Sequence, residues 1–205
     1  ARSTRGFFAP EKIVQCVEAA VDLPYEQAVE KERELFMECM YSSHSVAQRH
    51  MFFAERACTK VPDVPSDTPL RNVAKVAVIG GGTMGGGIAM NFANAGLSVV
   101  VKEISDEALE KGLGIIQANY DNTVSKGRMT ADARDACMKL ISGTTNYDEI
   151  SDCDLIVEAV FENMALKKEI FQELDKVAKA GAILASNTST LDIDEIAQVT
   201  SRPAD

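Results

Sequence analysis

The chain has 205 residues, 46% of them hydrophobic, with a net charge of -10 and an isoelectric point of about 4.8, which is enough length and apolar content for a globular core. The acidic balance, with no basic cluster to offset it, disfavours a nucleic-acid surface, because phosphate binding needs a basic face. No apolar run approaches the roughly 20 residues of a membrane span, and no cationic-then-apolar leader opens the chain, so a soluble intracellular protein is expected. The five cysteines, Cys16, Cys39, Cys58, Cys137 and Cys153, contain no CxxC pair, so no metal site or disulfide framework is signalled and reduced, buried thiols are expected. The sequence begins on ARSTRG without Met and stops on SRPAD just after a helical pattern. Both ends read as cuts, and a longer parent is expected.

Residues 10–23 place Ile13, Val14, Val17, Ala20 and Val21 at helical spacing, with Pro10 suited to a first turn. Pro24 opens a second helix, in which Tyr25, Ala28, Val29, Phe36, Cys39 and Met40 keep the same period and EKERE takes the other faces. The serines around residue 42 offer caps, and a third helix runs to residue 60. This helical segment, residues 1–60, is small for an independent fold, so docking on another body is expected. His44 and His50 lie six apart rather than at the i, i+4 metal spacing, and read as surface or core histidines. Residues 61–72, VPDVPSDTPLRN, hold three prolines and read as an extended linker.

From residue 73 the pattern changes. Val76 to Ile79 is a short β-branched run stopped by glycine, a buried parallel strand by its composition. Gly80, Gly82 and Gly85 follow on the spacing GxGxxG, in which the first glycine makes a tight turn, the second lets backbone approach a pyrophosphate and the third lets the next helix pack close. That helix, starting near Met84, aims its free N–H groups and dipole at the phosphates. A second strand, residues 98–102, ends at Glu103, where an acid that binds ribose hydroxyls is expected about 20 residues after the glycines. A carboxylate there repels a 2′-phosphate and no arginine follows, so NAD is preferred over NADP. The alternative is a solvated acid at a strand end.

Two helices, residues 105–126 and 131–140, then form an excursion larger than a minimal dinucleotide unit needs, with Ser105 and Thr130 as caps and Gly127 as a stop. Strands at residues 141–145, 155–160 and 182–186 alternate with helices at 163–179 and 191–199. The fold class is therefore α/β, a doubly wound parallel sheet of the Rossmann type, with residues 73–205 as the dinucleotide-binding domain. Glu158, Glu162 and Lys167 follow the fourth strand; they can hold ribose hydroxyls on the nicotinamide side, or form a surface ion pair. Ser186 to Thr190, SNTST, either projects into the same crevice or caps the helix at Leu191 through Ser189 or Thr190. A general base is missing: neither histidine lies near the crevice in sequence, and none of Tyr25, Tyr41, Tyr120 or Tyr147 has a lysine four residues on.

Taken together, VAVIGGGTMGGGIA, Glu103, the helical excursion, IVEAVFEN at residues 156–163 and ASNTST at 185–190 resemble the NAD-binding domain of L-3-hydroxyacyl-CoA dehydrogenase. The leader, with APEKIVQCVEAAVDLPYEQAVEKERELF and FFAERACTK, resembles the end of the hydratase domain and the connecting helix of multifunctional fatty-acid β-oxidation enzymes. The resemblance implies pyrophosphate contact through the Met84 backbone and ribose contact at Glu103. It places Val160, Phe161, Glu162 and Lys167 on the nicotinamide half, and Ser189 between cofactor and substrate 3-hydroxyl. It also implies 3-hydroxyacyl-CoA as substrate, the hydratase and C-terminal helical domains as partners, a peroxisomal or bacterial cytoplasmic location, and a catalytic histidine beyond Asp205, so that residues 1–205 alone are expected to be inactive. Rival readings are a noncatalytic NAD-binding or structural protein and another NAD-dependent hydroxyacid or sugar dehydrogenase; the latter accounts for the glycines but not for SNTST, the excursion and the leader together.

Overall fold

The computed structural model describes residue 4, residues 6–65 and residues 67–205, which divide into two compact units, Ala1–Pro69 and Leu70–Asp205. The first holds three helices, α1 (Ala9–Asp22), α2 (Tyr25–Tyr41) and α3 (Ser43–Ala57). Pro10 lies in the first turn of α1, Pro24 precedes α2, and the Ser42 hydroxyl accepts the Ser45 N–H at the head of α3. Among its described residues this unit buries only Ala19 and Leu35, and leaves Val14, Val17, Val21, Phe36 and Phe53 exposed. His44 and His50 are both at the surface, His44 with its ring edge-on to Phe8.

Two expectations need correcting here. Only Cys153 is buried; Cys58 is exposed and the other three thiols are half-covered, because the helices that carry them are themselves covered on one side at most. Nor is the proline segment extended throughout. The Val64 N–H donates to the Val61 carbonyl and the Thr68 N–H to that of Pro65, so it is folded into short turns.

The second unit is a five-stranded, wholly parallel sheet in the order β3-β2-β1-β4-β5: β1 (Lys75–Ile79), β2 (Ser98–Lys102), β3 (Ile141–Thr144), β4 (Leu155–Glu158) and β5 (Ile183–Ser186). Its central strand β1 is buried from Val76 to Ile79 because both faces are covered, which is why it reads as an unbroken apolar run. Alternate side chains divide between two cores. Val76, Val78, Val99 and Val101 pack against α4 (Thr83–Asn94), α5 (Asp106–Ser125) and α6 (Ala131–Lys139). Ala77, Ile79, Val100 and Ile156 pack against Ile150, Ile170 and Leu174, the last two on α7 (Met164–Val177). The sheet is therefore wound on both sides. No helix among the described residues is long and apolar enough to cross a membrane.

Boundaries shift where side chains capture backbone. β4 ends at Glu158 rather than residue 160, because its own carboxylate accepts the Val160 N–H at 2.7 Å and turns the chain out of the sheet. β3 stops at Thr144, whose hydroxyl accepts the Asn146 N–H and leads into an unforeseen 3-10 turn, Tyr147–Ile150. The last helix, α8 (Ile193–Ala197), is shorter than expected. Its cap is Asp192, which accepts the N–H groups of Asp194 and Glu195, and not Ser189 or Thr190. At the other end of the sheet Asp154 accepts the Ala74 and Lys75 N–H groups at 2.8 and 2.9 Å and takes the Lys179 ammonium at 2.6 Å. These bonds fix where the chain enters β1.

Leu174→Ala empties a fully buried position and is expected to lower stability by about 2–5 kcal/mol in urea unfolding, whereas Val21→Ser, on an exposed face, should change it by no more than about 0.5 kcal/mol.

Candidate functional site

The carboxyl ends of β1, β2 and β4 open into a cleft of about 660 Å³. Its floor is the turn after β1. Gly80 has φ +97°, and a Cβ there would stand 2.9 Å from the Ala159 carbonyl oxygen, so neither its conformation nor its surroundings admit a side chain. Gly85, in the first turns of α4, lies against the same turn: a Cβ would sit 1.8 Å from the Gly80 oxygen. Gly82, by contrast, faces open space. As the N-cap of α4 it has no side chain to satisfy the first N–H groups, which leaves them available to an anionic ligand. The residues thus fit a pyrophosphate: a tight turn, an open approach and an uncapped helix end.

α5 also closes on this turn, through a glycine that sequence reasoning passed over. A Cβ on Gly112 would stand 2.9 Å from the Gly81 carbonyl oxygen. The available signal was a glycine kept inside a long helix, where it destabilises unless close packing requires it. The excursion helix therefore buttresses the cleft floor.

Glu103 is not a free, solvated acid. One carboxylate oxygen accepts the Gly81 N–H at 2.6 Å and the other accepts the Ile104 N–H at 3.1 Å, tying the end of β2 to the glycine turn. Each oxygen keeps a further acceptor site for ribose hydroxyls. Met84, in the first turn of α4, lines the cleft with 59% of its surface exposed, and across it stand Val160 and Phe161, the latter 86% exposed.

The group after β4 departs most from a surface ion pair. Glu158 and Lys167 are both fully buried, and the Lys167 ammonium lies 2.7 and 2.8 Å from the two Glu158 oxygens and 3.4 Å from Glu162. Glu158 also takes the Ser186 hydroxyl at 2.5 Å and the Val160 N–H, so one carboxylate joins β4, β5 and α7. Burial without these partners would be prohibitive for either charge. Lys167 has no surface of its own, and of its two carboxylate partners only Glu162 reaches solvent. One Glu162 oxygen gathers the Thr188 hydroxyl at 2.5 Å and the N–H groups of Ser189 and Thr190 at 3.1 and 3.4 Å, so SNTST is held across the end of the sheet. Ser189 itself is exposed, and its hydroxyl makes no hydrogen bond among the described residues.

The Thr188 hydroxyl bond, then the Ser189 N–H and the Lys167 charge, draw the Glu162 carboxyl from 4.5 down to about 2. A depressed carboxyl stabilises the fold above its unfolded value and ceases to do so as the pH falls through the folded one. The grip on SNTST should therefore be complete above about pH 4.5 and lost toward pH 2. Carbon-13 titration of Glu162 is expected to give a value near 2, moving toward 4.5 in Thr188→Val. Lys167→Met strands a buried carboxylate and is expected to cost about 3–5 kcal/mol in urea unfolding, with partial recovery in Glu158→Leu/Lys167→Met.

Comparison with known proteins agrees with this geometry. The family model for the 3-hydroxyacyl-CoA dehydrogenase NAD-binding domain matches residues 75–205. The peroxisomal fatty acid beta-oxidation multifunctional protein AIM1 of Arabidopsis thaliana is 45% identical over 172 residues, covering 83% of this chain and 24% of that protein. The peroxisomal bifunctional enzyme of Cavia porcellus is 40% identical over 211 residues, covering 98% and 28%. The crystal structure of 3-hydroxybutyryl-CoA dehydrogenase from Escherichia coli K12 superposes with a TM-score of 0.63 at 36% identity, covering 65% of this chain and 28% of that one. The chain spans about a quarter of the length of these curated relatives. With a parallel sheet, a glycine turn open to a pyrophosphate and an acid at the end of β2, the chain belongs to the family of 3-hydroxyacyl-CoA dehydrogenase NAD-binding domains, whose cofactor is NAD.

Proposed function

We propose that residues 73–205 hold NAD for a parent enzyme that oxidises L-3-hydroxyacyl-CoA to 3-ketoacyl-CoA in fatty-acid β-oxidation, with residues 1–60 and the linker 61–72 belonging to the end of a hydratase domain and its connector. The observation that carries this reading is the turn from Gly80 to Gly85, closed to side chains at both ends, open at Gly82 and tied to Glu103. In this arrangement the first N–H groups of α4, Met84 included, meet the pyrophosphate, and Glu103 receives the adenosine ribose. Val160, Phe161 and Glu162 flank the nicotinamide half, with Lys167 holding Glu162 in place. The bound cofactor supplies the hydride acceptor.

Ser189 stands between cofactor and the substrate 3-hydroxyl: its N–H is committed to Glu162, so its hydroxyl is the group left to face substrate. Proton removal from that hydroxyl needs a base, and residues 70–205 contain no histidine. The remaining parts of the parent, a hydratase domain and a helical C-terminal domain, are its partners, and a location in peroxisomes or in bacteria accords with the names and sources of its relatives, with the bacterial cytoplasm as the proposed compartment in the second case.

Calorimetric titration of the 205-residue chain with NAD is expected to give saturable binding that Glu103→Ala weakens about tenfold or more, the loss of one to two hydrogen bonds to a charged group. NADH absorbance with 3-hydroxyacyl-CoA present is expected to stay flat. Equal affinity of the two proteins would remove Glu103 from the site, and measurable turnover would overturn the assignment of the base to another part of the parent.

A further inference from the structure

One cation in the cleft wall has no anionic partner. Lys102, the last residue of β2, is only 8% exposed, and its ammonium stands 3.9 Å from the centroid of the Tyr147 ring. Among the described residues this ammonium makes no hydrogen bond and no ion pair. Five other lysines of the same unit, Lys75, Lys167, Lys168, Lys176 and Lys179, each face a carboxylate, and the three without an ion pair, Lys111, Lys126 and Lys139, are exposed to water, so Lys102 alone is both buried and unpaired among them. A ring face holds an ammonium in place but accepts none of its three protons in a conventional hydrogen bond, so donors are left over in a partly desolvated wall. Burial lowers the pKa of Lys102 and the neighbouring Glu103 charge opposes that shift.

Position shows what those donors face. Neighbouring residues on a strand point to opposite sheet faces. Glu103 turns to the glycine turn at the cleft mouth, while Lys102 packs with Tyr147, beside the core that contains Ile79 and Ile170. The cavity between them is walled by Tyr147, Leu166 and Ile170, with the carboxylates of Glu169 and Glu173 on the same lining. The lining is largely apolar and carries one ammonium, with Glu169 and Glu173 as the carboxylates besides Glu103.

We propose that Lys102 is the residue that reads the adenine base of the cofactor, donating to ring nitrogen N1, with Glu169 or Glu173 accepting from the 6-amino group. The inference rests on the NAD reading above. With the ribose held at Glu103, the glycosidic nitrogen stays at the mouth and the purine enters with its opposite edge, the N1–C6 edge, leading. Adenine presents an acceptor at N1 and a donor at C6, the complement of an ammonium and a carboxylate. Hypoxanthine presents N1–H and a carbonyl oxygen, so both polarities oppose the pocket. A site built around hydrogen bonds rejects the analogue that leaves its groups unpaired. Tyr147 keeps Lys102 in the wall without neutralising it.

The test is binding of the reduced cofactor and of reduced nicotinamide hypoxanthine dinucleotide to the full 205-residue chain, followed by nicotinamide fluorescence. The parent chain is expected to bind the adenine form at least about tenfold more tightly, the size of one hydrogen bond to a charged group. In Lys102→Met that ratio should fall toward one, through loss of affinity for the adenine form. In Lys102→Gln it should also fall, though not as far as one, because an amide can donate to adenine N1 or accept from the hypoxanthine N1–H while the carboxylate still favours the 6-amino group. A ratio of dissociation constants does not depend on the fraction of folded protein, so partial misfolding of a variant does not mimic the effect. An unchanged ratio in both variants, or a parent chain that does not discriminate, overturns the role of Lys102. A parent chain that binds neither dinucleotide overturns instead the NAD reading beneath it.

Discussion

The approach of α4 to the turn after β1 governs everything above the sheet. With a Cβ on Gly85 the helix would run into the Gly80 carbonyl oxygen at 1.8 Å, and no rotamer change relieves a clash between two pieces of backbone. Because the position holds glycine, the helix axis starts directly over the strand end and its first N–H groups converge on one point. Gly112 extends the same constraint to α5. Three elements thus meet at a surface with no side chains, where a phosphate group can come close to backbone.

Around that bare floor charge is arranged in two ways. On the β2 side a single carboxylate, Glu103, is held by backbone N–H groups and left with spare acceptor capacity. On the β4 side two carboxylates share one ammonium, and every donor of Lys167 is directed at Glu158 or Glu162. The first arrangement suits a group that must accept from a ligand. The second suits a scaffold: it fixes β4, β5 and α7 relative to each other at the point where SNTST crosses the sheet, and its solvent-exposed member is Glu162.

Much of this was legible because it is periodic or local. The buried strands read as β-branched runs, the glycines as a spacing, and Ser105 and Thr130 as the caps they are. What was illegible depends on distance in space. Nothing in EAVFEN says that Glu158 is buried while Glu162 reaches solvent and grips SNTST, since both follow an apolar run; their fates separate only when Ser186 of β5 and Lys167 of α7 arrive beside Glu158. Lys102 reads as an ordinary charged end to an apolar run, and only the 3-10 turn that brings Tyr147 beneath it reveals a cation without a counter-ion. The strand and helix ends that moved did so by a bond from a side chain to nearby backbone, a competition that apolar periodicity does not encode.

The anchoring of Ala74 and Lys75 by Asp154 has a mechanical meaning as well as a structural one. The chain that leaves the helical unit enters the sheet at its central strand, which has hydrogen-bonded neighbours on both sides. Tension arriving along that segment pulls β1 parallel to its own length. The two flanking ladders must then yield together in shear instead of opening one bond at a time from an edge. Residues 70–205 therefore resist a pull along that segment as one body, and the strand that takes the load is the strand that carries the glycine turn.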